Sequence, residues 1–371
     1  MILLGCGGGG GGGSNNNPPP PPTAATPTVT ASASNGAQNG AMIVSLATTT
    51  SGAAIYYTID GSTPTAASTP YLAPFLMTSS ATVNAIAVLS GDNNSSVASQ
   101  PVTANVASGA LAWSDEFANS GATNAQPNAN IWTYDTGNSG FGNSELETYC
   151  AWASAVSPCN PASPNAYIAP GGGLNIVAQQ PTANTATYTS ARMKTQGLFS
   201  FQYGRIEAKL QIPESQGMWP AFWMLGNNIT TINWPACGEL DIMEHIDGNN
   251  TPFGGPGTGA APGFDWTQSS IHGTGLGAGT PYNVNGFSAA GSHTYGMIWK
   301  KGQIQYYVDN PANIYETFST TSPGTGTWPF DQGPQFIILN LAVGGSWPGS
   351  PDATTVFPST YLVDYVRIYA N

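Results

Sequence analysis

Residues 234–247 read Trp-Pro-Ala-Cys-Gly-Glu-Leu-Asp-Ile-Met-Glu-His-Ile-Asp, a segment in which three carboxylates fall within six positions. Only 7% of the residues in the chain are charged, so Glu239, Asp241 and Glu244 form a dense acidic cluster on an apolar background. The apolar residues between them predict a buried β-strand. Side chains alternate between the two faces of a strand, which places Glu239 and Asp241 together and turns Glu244 away from them.

A β-bulge near Ile242–Met243 would change that arrangement, because one inserted residue returns Glu244 to the face of Glu239. Carboxylates crowded on one face repel each other, so the cluster should retain a proton. The chain has only seven Lys and Arg residues, which leaves few partners for a structural salt-bridge network. An ionised carboxylate beside a protonated one supplies a nucleophile and a proton donor.

The acidic segment resembles the Glu-x-Asp-x-x-Glu motif of glycoside hydrolase family 16 in its bulged form, and the laminarinase-like endo-β-1,3-glucanases match it best. The resemblance extends from about Leu111 to Asn371. It includes Trp-Ser-Asp-Glu-Phe (113–117), Gly-Asn-Ser-Glu-Leu (142–146), Tyr-Thr-Ser-Ala-Arg-Met (188–193), Tyr-Gly-Arg-Ile-Glu-Ala-Lys (203–209), Gly-Met-Trp-Pro-Ala-Phe-Trp-Met-Leu-Gly (217–226), Asn-Leu-Ala-Val-Gly-Gly-Ser-Trp-Pro-Gly (340–349) and Val-Asp-Tyr-Val-Arg-Ile-Tyr (363–369). So many ordered blocks make the resemblance specific, whereas the acidic motif alone would not.

By this resemblance, Glu239 is the nucleophile and Glu244 the acid/base, while Asp241 hydrogen-bonds the nucleophile and sets its protonation. In retaining enzymes the two reacting carboxyl groups stand about 5–5.5 Å apart. A straight strand would separate residues five positions apart by about 16 Å at ~3.3 Å per step, so the bulge, curvature and leaning side chains must close the gap. The implied reaction is hydrolysis of internal β-1,3, or mixed β-1,3-1,4, glucosidic bonds of laminarin-type glucans.

The resemblance also implies a row of substrate-binding residues along a cleft. Trp219 and Trp234 are expected to stack on sugar rings, whereas Trp223 is expected in the core. Glu147 replaces the Gln that is usual at its position, which leaves the outermost sugar subsite open. The residues expected to bind substrate are Asn143, Arg192, Trp219, Trp234, His272 and Trp347.

A structural calcium ion is the one metal that the resemblance implies. Its ligands would be Glu116, a backbone carbonyl near Gly173 and Asp364, and oxygen ligands of this kind suit calcium. Two ordinary surface acids are the alternative interpretation. No cofactor is expected for catalysis, since the three His residues form no metal-binding motif.

Composition limits the fold and the partners. The 46 Gly and 30 Pro residues favour strands and turns over helices. Acidic residues outnumber basic ones 19 to 7, giving a net charge of −12, which disfavours nucleic acid and anionic membranes. A neutral β-glucan polysaccharide is an easier partner than an acidic polymer. A monomer is expected.

The sequence divides into three predicted segments. Residues 1–26 combine a truncated export signal with a Gly- and Pro-rich linker that cannot build a core. Residues 27–106 resemble the small immunoglobulin-like β-sandwich found at the carboxyl end of chitobiase and hexosaminidase enzymes. A spacer role is expected for this module, with glycan binding as the alternative. Residues 107–371 are predicted to form an all-β, concanavalin-like jelly roll that carries the catalytic site.

The cysteines indicate export. Residues 3–6, Leu-Leu-Gly-Cys, resemble a bacterial lipobox with Cys6 as the lipidated residue, although the basic and most of the apolar parts of a signal peptide are missing. We interpret this as a sequence that begins downstream of the true translation start. Cys150 and Cys159 are expected to form a disulfide, and Cys237 is expected to be a buried filler. The predicted location is therefore secreted or at the cell surface, with membrane contact only through the lipid.

Two other functions stay open. One is a catalytically silent lectin with the same sandwich fold, although a lectin gains nothing from a sequestered nucleophile and acid. The other is a transglycosylase or an agarase of the same family. A covalent intermediate can react with water or with a sugar hydroxyl, while the low basic content argues against sulfated galactans as substrates.

Overall fold

Short alternating segments form β-strands throughout the described residues between Thr28 and Tyr369 in the computed structural model. The structure describes residues 20–182, 185–213, 215–247, 266–284, 287–321 and 326–371. Within these residues the helices are limited to a 3₁₀ turn at Gly140–Gly142 and α1 (Ile229–Ile232). The all-β prediction is confirmed. Neither helical turn has the length or hydrophobicity to cross a bilayer.

A small sandwich occupies the amino-terminal part of the described chain. One sheet has the order β1-β2-β5 and the other the order β4-β3-β6-β7. Alternating side chains of the two sheets, such as Val44, Tyr57 and Val83, form an apolar cluster of their own. The strands are β1 (Thr28–Ser32), β2 (Met42–Ala47), β3 (Ala54–Thr58), β4 (Thr69–Pro70), β5 (Phe75–Met77), β6 (Ser79–Val88) and β7 (Ala98–Asn105).

A larger sandwich follows and carries the acidic segment. Its strands are β8 (Leu111–Asp115), β9 (Thr133–Asp135), β10 (Glu147–Tyr149), β11 (Ala166–Ile168), β12 (Leu174–Ala178), β13 (Tyr188–Ser190), β14 (Arg192–Lys194), β15 (Gly204–Gln211), β16 (Met218–Gly226), β17 (Glu239–Glu244), β18 (Thr267–Gly273), β19 (Leu276–Tyr282), β20 (His293–Lys300), β21 (Gln303–Val308), β22 (Ile314–Ser319), β23 (Gln335–Val343) and β24 (Ser359–Tyr369). Most neighbouring strands pair antiparallel, and β10 pairs parallel with β13.

Two sheets make the layers of the larger sandwich. The order β19-β18-β17-β16-β23-β14-β9 defines the cleft sheet, and the order β11-β12-β24-β15-β20-β21-β22, with β8 beside β24, defines the back sheet. Phe222 and Leu240 of the cleft sheet join Ile206 and Trp299 of the back sheet in one buried core. The opposite face of the cleft sheet is therefore free to carry polar and aromatic side chains.

The two sandwiches are joined by direct contacts. Ser200 donates its backbone N–H to the Pro74 carbonyl (2.9 Å) and accepts the Leu76 N–H (3.0 Å). The indole N–H of Trp113 donates to the Asn35 carbonyl (2.6 Å). Leu76 and Trp113 belong to one buried cluster. The small sandwich thus covers part of the core of the larger one. Its role as a spacer or in glycan binding stays a prediction.

Candidate active site

The acidic strand contains the bulge that its sequence predicts. On β16, Phe222 pairs with Met243 and Trp223 pairs with Asp241, so Ile242 is the inserted residue. Leu240, Ile242 and Met243 point into the core as a result. Glu239, Asp241 and Glu244 all line the same cavity on the outer face of the cleft sheet.

The bulge also shortens the distance between the two outer carboxylates. On the neighbouring strand β18, Glu239 lies opposite His272 and Glu244 lies opposite Gln268. These two partners are four residues apart, whereas Glu239 and Glu244 are five residues apart. Four steps correspond to about 13 Å between the backbones at ~3.3 Å each. Both side chains line the same cavity, which measures about 270 Å³.

A line of polar contacts connects the three carboxylates. The Glu239 carboxylate lies 3.8 Å from His272 Nε2, and the same nitrogen lies 3.2 Å from Asp241 Oδ2. Ser270 Oγ lies within hydrogen-bond reach of Asp241 (2.7 Å) and of Glu244 (3.2 Å). A single hydroxyl proton serves one of these acceptors at a time, so the protonation states of Asp241 and Glu244 are linked.

Burial raises the pKa of every carboxyl group in this line. It raises the pKa of Asp241 to about 7 and that of Glu244 to about 8, where the nearby Asp241 adds to the effect of burial. Burial and the neighbouring Asp241 also raise the pKa of Glu239, against a lowering contribution from His272. The cluster therefore holds at least one proton near neutral pH, as crowded carboxylates must.

Tryptophan side chains flank the carboxylates on both sides. Trp219 donates its indole N–H to Glu244 (3.1 Å) and meets Trp347 edge to face, with ring centroids 5.3 Å apart. Trp234 remains 56% exposed beside His272 and hydrogen-bonds Glu239. An exposed indole ring beside a reacting group is a suitable platform for the C–H face of a sugar.

The opposite end of the cavity is built around Arg192. Its guanidinium lies over the rings of Trp223 (4.6 Å) and Phe141 (5.3 Å), and its Nε pairs with Asp135 (3.0 Å). The prediction that Trp223 belongs to the core is wrong. Residues four apart on a strand share a face, so Trp223 lines the cavity with Trp219, and it donates its indole N–H to Asn340 (2.7 Å).

A second pair of carboxyl groups, Glu145 and Glu147, lies behind this end of the cavity. The sequence analysis notes only that Glu147 replaces the usual Gln and does not predict the pair. Glu145 lines the cavity and accepts hydrogen bonds from Asn143 (3.2 Å) and Tyr149 (2.8 Å). Glu147 is fully buried and accepts the Val343 N–H (2.7 Å). The alternation of Glu145 and Glu147 could have indicated a shared face, but the sequence holds no sign of the contact with Val343 on β23.

The geometry agrees with the result of a family comparison. Residues 164–367 match the model of glycosyl hydrolases family 16, and residues 33–99 match the chitobiase/β-hexosaminidase C-terminal domain. The chain belongs to glycosyl hydrolases family 16. Its acidic strand and bulge lie inside the matched region, as do the strands of the cleft sheet other than β9.

Similar proteins cover the same part of this family 16 protein. The β-glucanase of Rhodothermus marinus is 36% identical over 270 residues, which are 70% of this chain and 84% of that protein. The clotting factor G alpha subunit of Tachypleus tridentatus is 34% identical over 263 residues; the match spans 70% of this chain but only 34% of that relative. The catalytic domain of an endo-1,3-β-glucanase (laminarinase) from Thermotoga petrophila superposes with a TM-score of 0.57 at 34% identity, covering 71% of this chain and 98% of that one.

Calcium at the predicted site stays a prediction for this family 16 member. The backbone does bring the three segments together, since Gly173 donates its N–H to Phe117 (3.0 Å) and Leu174 pairs with Val363. The two acidic side chains, however, are engaged elsewhere. Glu116 forms a two-pronged ion pair with Arg367 (2.8 and 2.9 Å), and Asp364 pairs with Lys209 (2.7 Å). A calcium ion would have to replace Arg367 and Lys209 as the partners of these two carboxylates.

The acidic strand itself offers a spacing that could hold a metal ion. The ligand atoms of Glu239, Asp241 and His272 lie within 4.8 Å of one another. The contacts of His272 with Glu239 and Asp241 explain this spacing without a metal ion.

The cysteines are distributed as follows. Cys150 and Cys159 form a disulfide, and Cys237 is a buried free thiol next to the start of β17. Cys6 lies outside the described residues. Its lipidation stays a prediction, which incorporation of labelled palmitate into wild-type protein, and its loss in Cys6→Ala, would test.

Proposed function

We propose that this protein is a retaining endo-β-glucanase that hydrolyses internal β-1,3 bonds, and also mixed-linkage β-1,3-1,4 bonds, in laminarin-type glucans. The observation that carries the proposal is the bulge at Ile242, because it turns Glu239, Asp241 and Glu244 into one open cavity. The glucanase and laminarinase among its similar proteins support the choice of a glucan as substrate. The aromatic side chains in the cavity wall suit the C–H faces of a polysaccharide.

The first step forms a covalent intermediate. Glu239 acts as the ionised member of the cluster, and His272 and the hydrogen bond from Trp234 favour its charged form against the effects of burial and Asp241. Its carboxylate attacks the anomeric carbon while the bond to the leaving sugar oxygen breaks. Glu244, kept protonated by its raised pKa, gives its proton to that oxygen. The product of this step is a glycosyl ester on Glu239 and a free sugar end.

The second step releases the sugar. Glu244, now ionised, takes a proton from a water molecule, and the water oxygen attacks the anomeric carbon and displaces Glu239. Two inversions leave the β configuration unchanged. Ser270 and Trp219 both offer hydrogen bonds to the Glu244 anion between the two steps, which stabilises it until water arrives.

The direct test is reducing-sugar release from laminarin, lichenan, agarose and carrageenan measured in parallel. We expect the highest rate on laminarin, a lower rate on lichenan, and large oligosaccharides among the early products. Release from agarose or carrageenan alone would contradict the choice of glucan. Retention of laminarin on immobilised protein with no release of reducing ends would instead support the lectin alternative.

A further inference from the structure

Glu145 and Glu147 form a buried pair of carboxyl groups that has no part in the proposed hydrolysis. Glu147 on β10 has no measurable exposure to solvent, and Glu145, two residues earlier, is 7% exposed at the cavity wall. Glu145 lies just before β10, and its carboxyl group interacts directly with that of Glu147. Two carboxyl groups this close cannot both be ionised at low cost, so one of them must hold a proton.

Hydrogen-bond partners decide which carboxyl group holds it. Glu145 accepts from Asn143 through Oε1 and from Tyr149 through Oε2, so both of its oxygens already have donors. Glu147 Oε2 accepts the Val343 N–H, whereas Oε1 is buried without a donor among the described residues. A buried oxygen that lacks a donor is satisfied when it carries the proton itself. The proton therefore lies on Glu147 and the negative charge on Glu145.

We propose that Glu147 is a positioning residue for sugar binding: its protonated carboxyl group donates a hydrogen bond to Glu145 and holds the Glu145 carboxylate as a fixed acceptor in the wall of the cleft. The inference rests on the proposed function, since it concerns how that cleft grips a glucan chain. It assigns a role to the position at which this chain departs from the usual Gln.

The surroundings of the pair make it a single unit with the cleft wall. Tyr149 receives an amide hydrogen bond from Asn340 (3.2 Å), and Asn340 in turn receives the Trp223 indole hydrogen bond. Leu146, between the two acids, donates its N–H to the Val343 carbonyl (2.8 Å) and so fixes this segment to β23. Glu147 thus supports a network that reaches Arg192 through the ring of Trp223.

The charged and titratable groups that face the pair explain its response to pH. They are Glu145 and Tyr149 from its own segment, Arg192 from β14 with its partner Asp135, and Tyr188 opposite Glu147 on β13. Burial, with Glu145 nearby, raises the pKa of Glu147 to about 8. Above that pH a second negative charge enters the buried pair, and repulsion should loosen the Glu145 acceptor.

The consequence is a rise in KM rather than a fall in kcat, because the reacting carboxylates lie on β17 and not in this network. For the wild type we expect KM for laminarin to increase about tenfold between pH 7 and pH 9.5, the size expected when one hydrogen bond to a charged group is lost. Glu147→Gln keeps a donor towards Glu145 at every pH, since its amide does not titrate. In that variant KM should stay nearly constant over the same range, while the pH dependence of kcat matches the wild type.

Two further variants complete the test. Glu147→Leu has no donor at any pH, so its KM should be raised already at pH 7. Glu316→Gln removes one negative charge at a half-buried position on β22, outside the residues that line the cavity, and should keep the wild-type rise in KM. A KM for Glu147→Gln that rises with pH as steeply as in the wild type would overturn the inference.

An infrared titration gives a second readout that does not depend on activity. Glu147 and Glu244 are both buried carboxyl groups with a pKa of about 8, so the wild type should show the carbonyl stretching band of two protonated acids that disappears near that pH. In Glu147→Gln this band should be weaker by the share of one carboxyl group. If the band is present in both proteins at equal strength, Glu147 is not its source and the inference fails. If no glucan is hydrolysed at all, the proposed function fails, and the infrared difference still decides the state of Glu147.

Discussion

The cleft contains two clusters of buried carboxyl groups, and they differ in what faces them. On β17, Glu239 and Glu244 face the open cavity because the bulge turns them to one side. At the opposite end, Glu147 is sealed behind Glu145 and fixed to the Val343 N–H. Burial raises the pKa of Glu244 and of Glu147 to about 8 in both places.

The difference teaches that a raised pKa reports burial and crowding, not catalysis. Catalysis also requires that two carboxyl groups reach the same bond of a bound chain from one cavity. Glu239 and Glu244 both line the cavity, whereas only Glu145 of the second pair does. The two clusters should therefore respond differently to the same chemical change, a carboxyl replaced by an amide of equal shape.

The largest effect is expected on β17. Glu239→Gln should lower kcat on laminarin by about 10⁴-fold or more, because the nucleophile is lost. Glu244→Gln should lower it by about 10²–10⁴-fold, because proton transfer to the leaving oxygen is lost. Initial rates at saturating laminarin, with circular dichroism melting to verify the fold, measure this. A loss of the same size in Glu147→Gln would remove the distinction between the clusters.

A second expectation concerns the pH dependence of kcat. Glu244 must be protonated to act as an acid, and a group with a raised pKa stays protonated until the pH passes that value. Turnover of laminarin should therefore persist to about pH 8 and fall about tenfold per pH unit above it. A substrate whose leaving group needs no proton should show a weaker fall. If kcat already begins to fall near pH 4–5, the ordinary pKa range of a Glu side chain, the role of Glu244 as the acid is contradicted.

Asp241→Asn should have a smaller effect on rate, below the roughly 10²-fold expected at the reacting groups, because Asp241 supports them without touching the bond that breaks. It should also move the alkaline limit of kcat. Asp241 raises the pKa of Glu244 by its charge, so the neutral amide should shift that limit to lower pH. The pH profile of the variant decides this, and a limit unchanged or shifted upward would show that Asp241 and Glu244 are not linked.

The smallest effect is expected at Arg192. Arg192→Lys keeps the positive charge but loses the planar group that lies over Trp223 and Phe141. We expect KM for laminarin to rise about five- to tenfold and kcat to change by less than about twofold, the pattern of a lost binding contact. Lys300→Arg, on β20 of the back sheet, is a matched control that should change neither value. A change in kcat alone would place Arg192 in the chemistry instead.

The acidic strand was predictable because its information is local. The spacing of Glu239, Asp241 and Glu244, together with apolar Ile242 and Met243, already indicates a bulge, and the structure has one at Ile242. The all-β sandwich likewise follows from turn-rich composition and short alternating runs. Both depend on neighbours along the chain.

The other end of the cleft depends on contacts between distant segments. Glu147 meets the Val343 N–H nearly two hundred residues away, and Trp223 meets Asn340 on β23. A sequence contains no local sign of such pairings. The position of Trp223 in the cavity does have one, since residues four apart on a strand share a face and Trp219 is expected in the cleft. Glu116 and Asp364 illustrate the same point, since their ion pairs with Arg367 and Lys209 form across strands of the back sheet.

The most direct test of the two-carboxylate account is proton NMR of wild-type protein digesting laminarin from the first minutes. A nucleophilic Glu239 with Glu244 as acid/base predicts that the reducing ends appear first as the β-anomer, with the α-anomer growing in later by mutarotation. A first product with the α configuration would mean that water attacks directly. That result would contradict the covalent role assigned to Glu239.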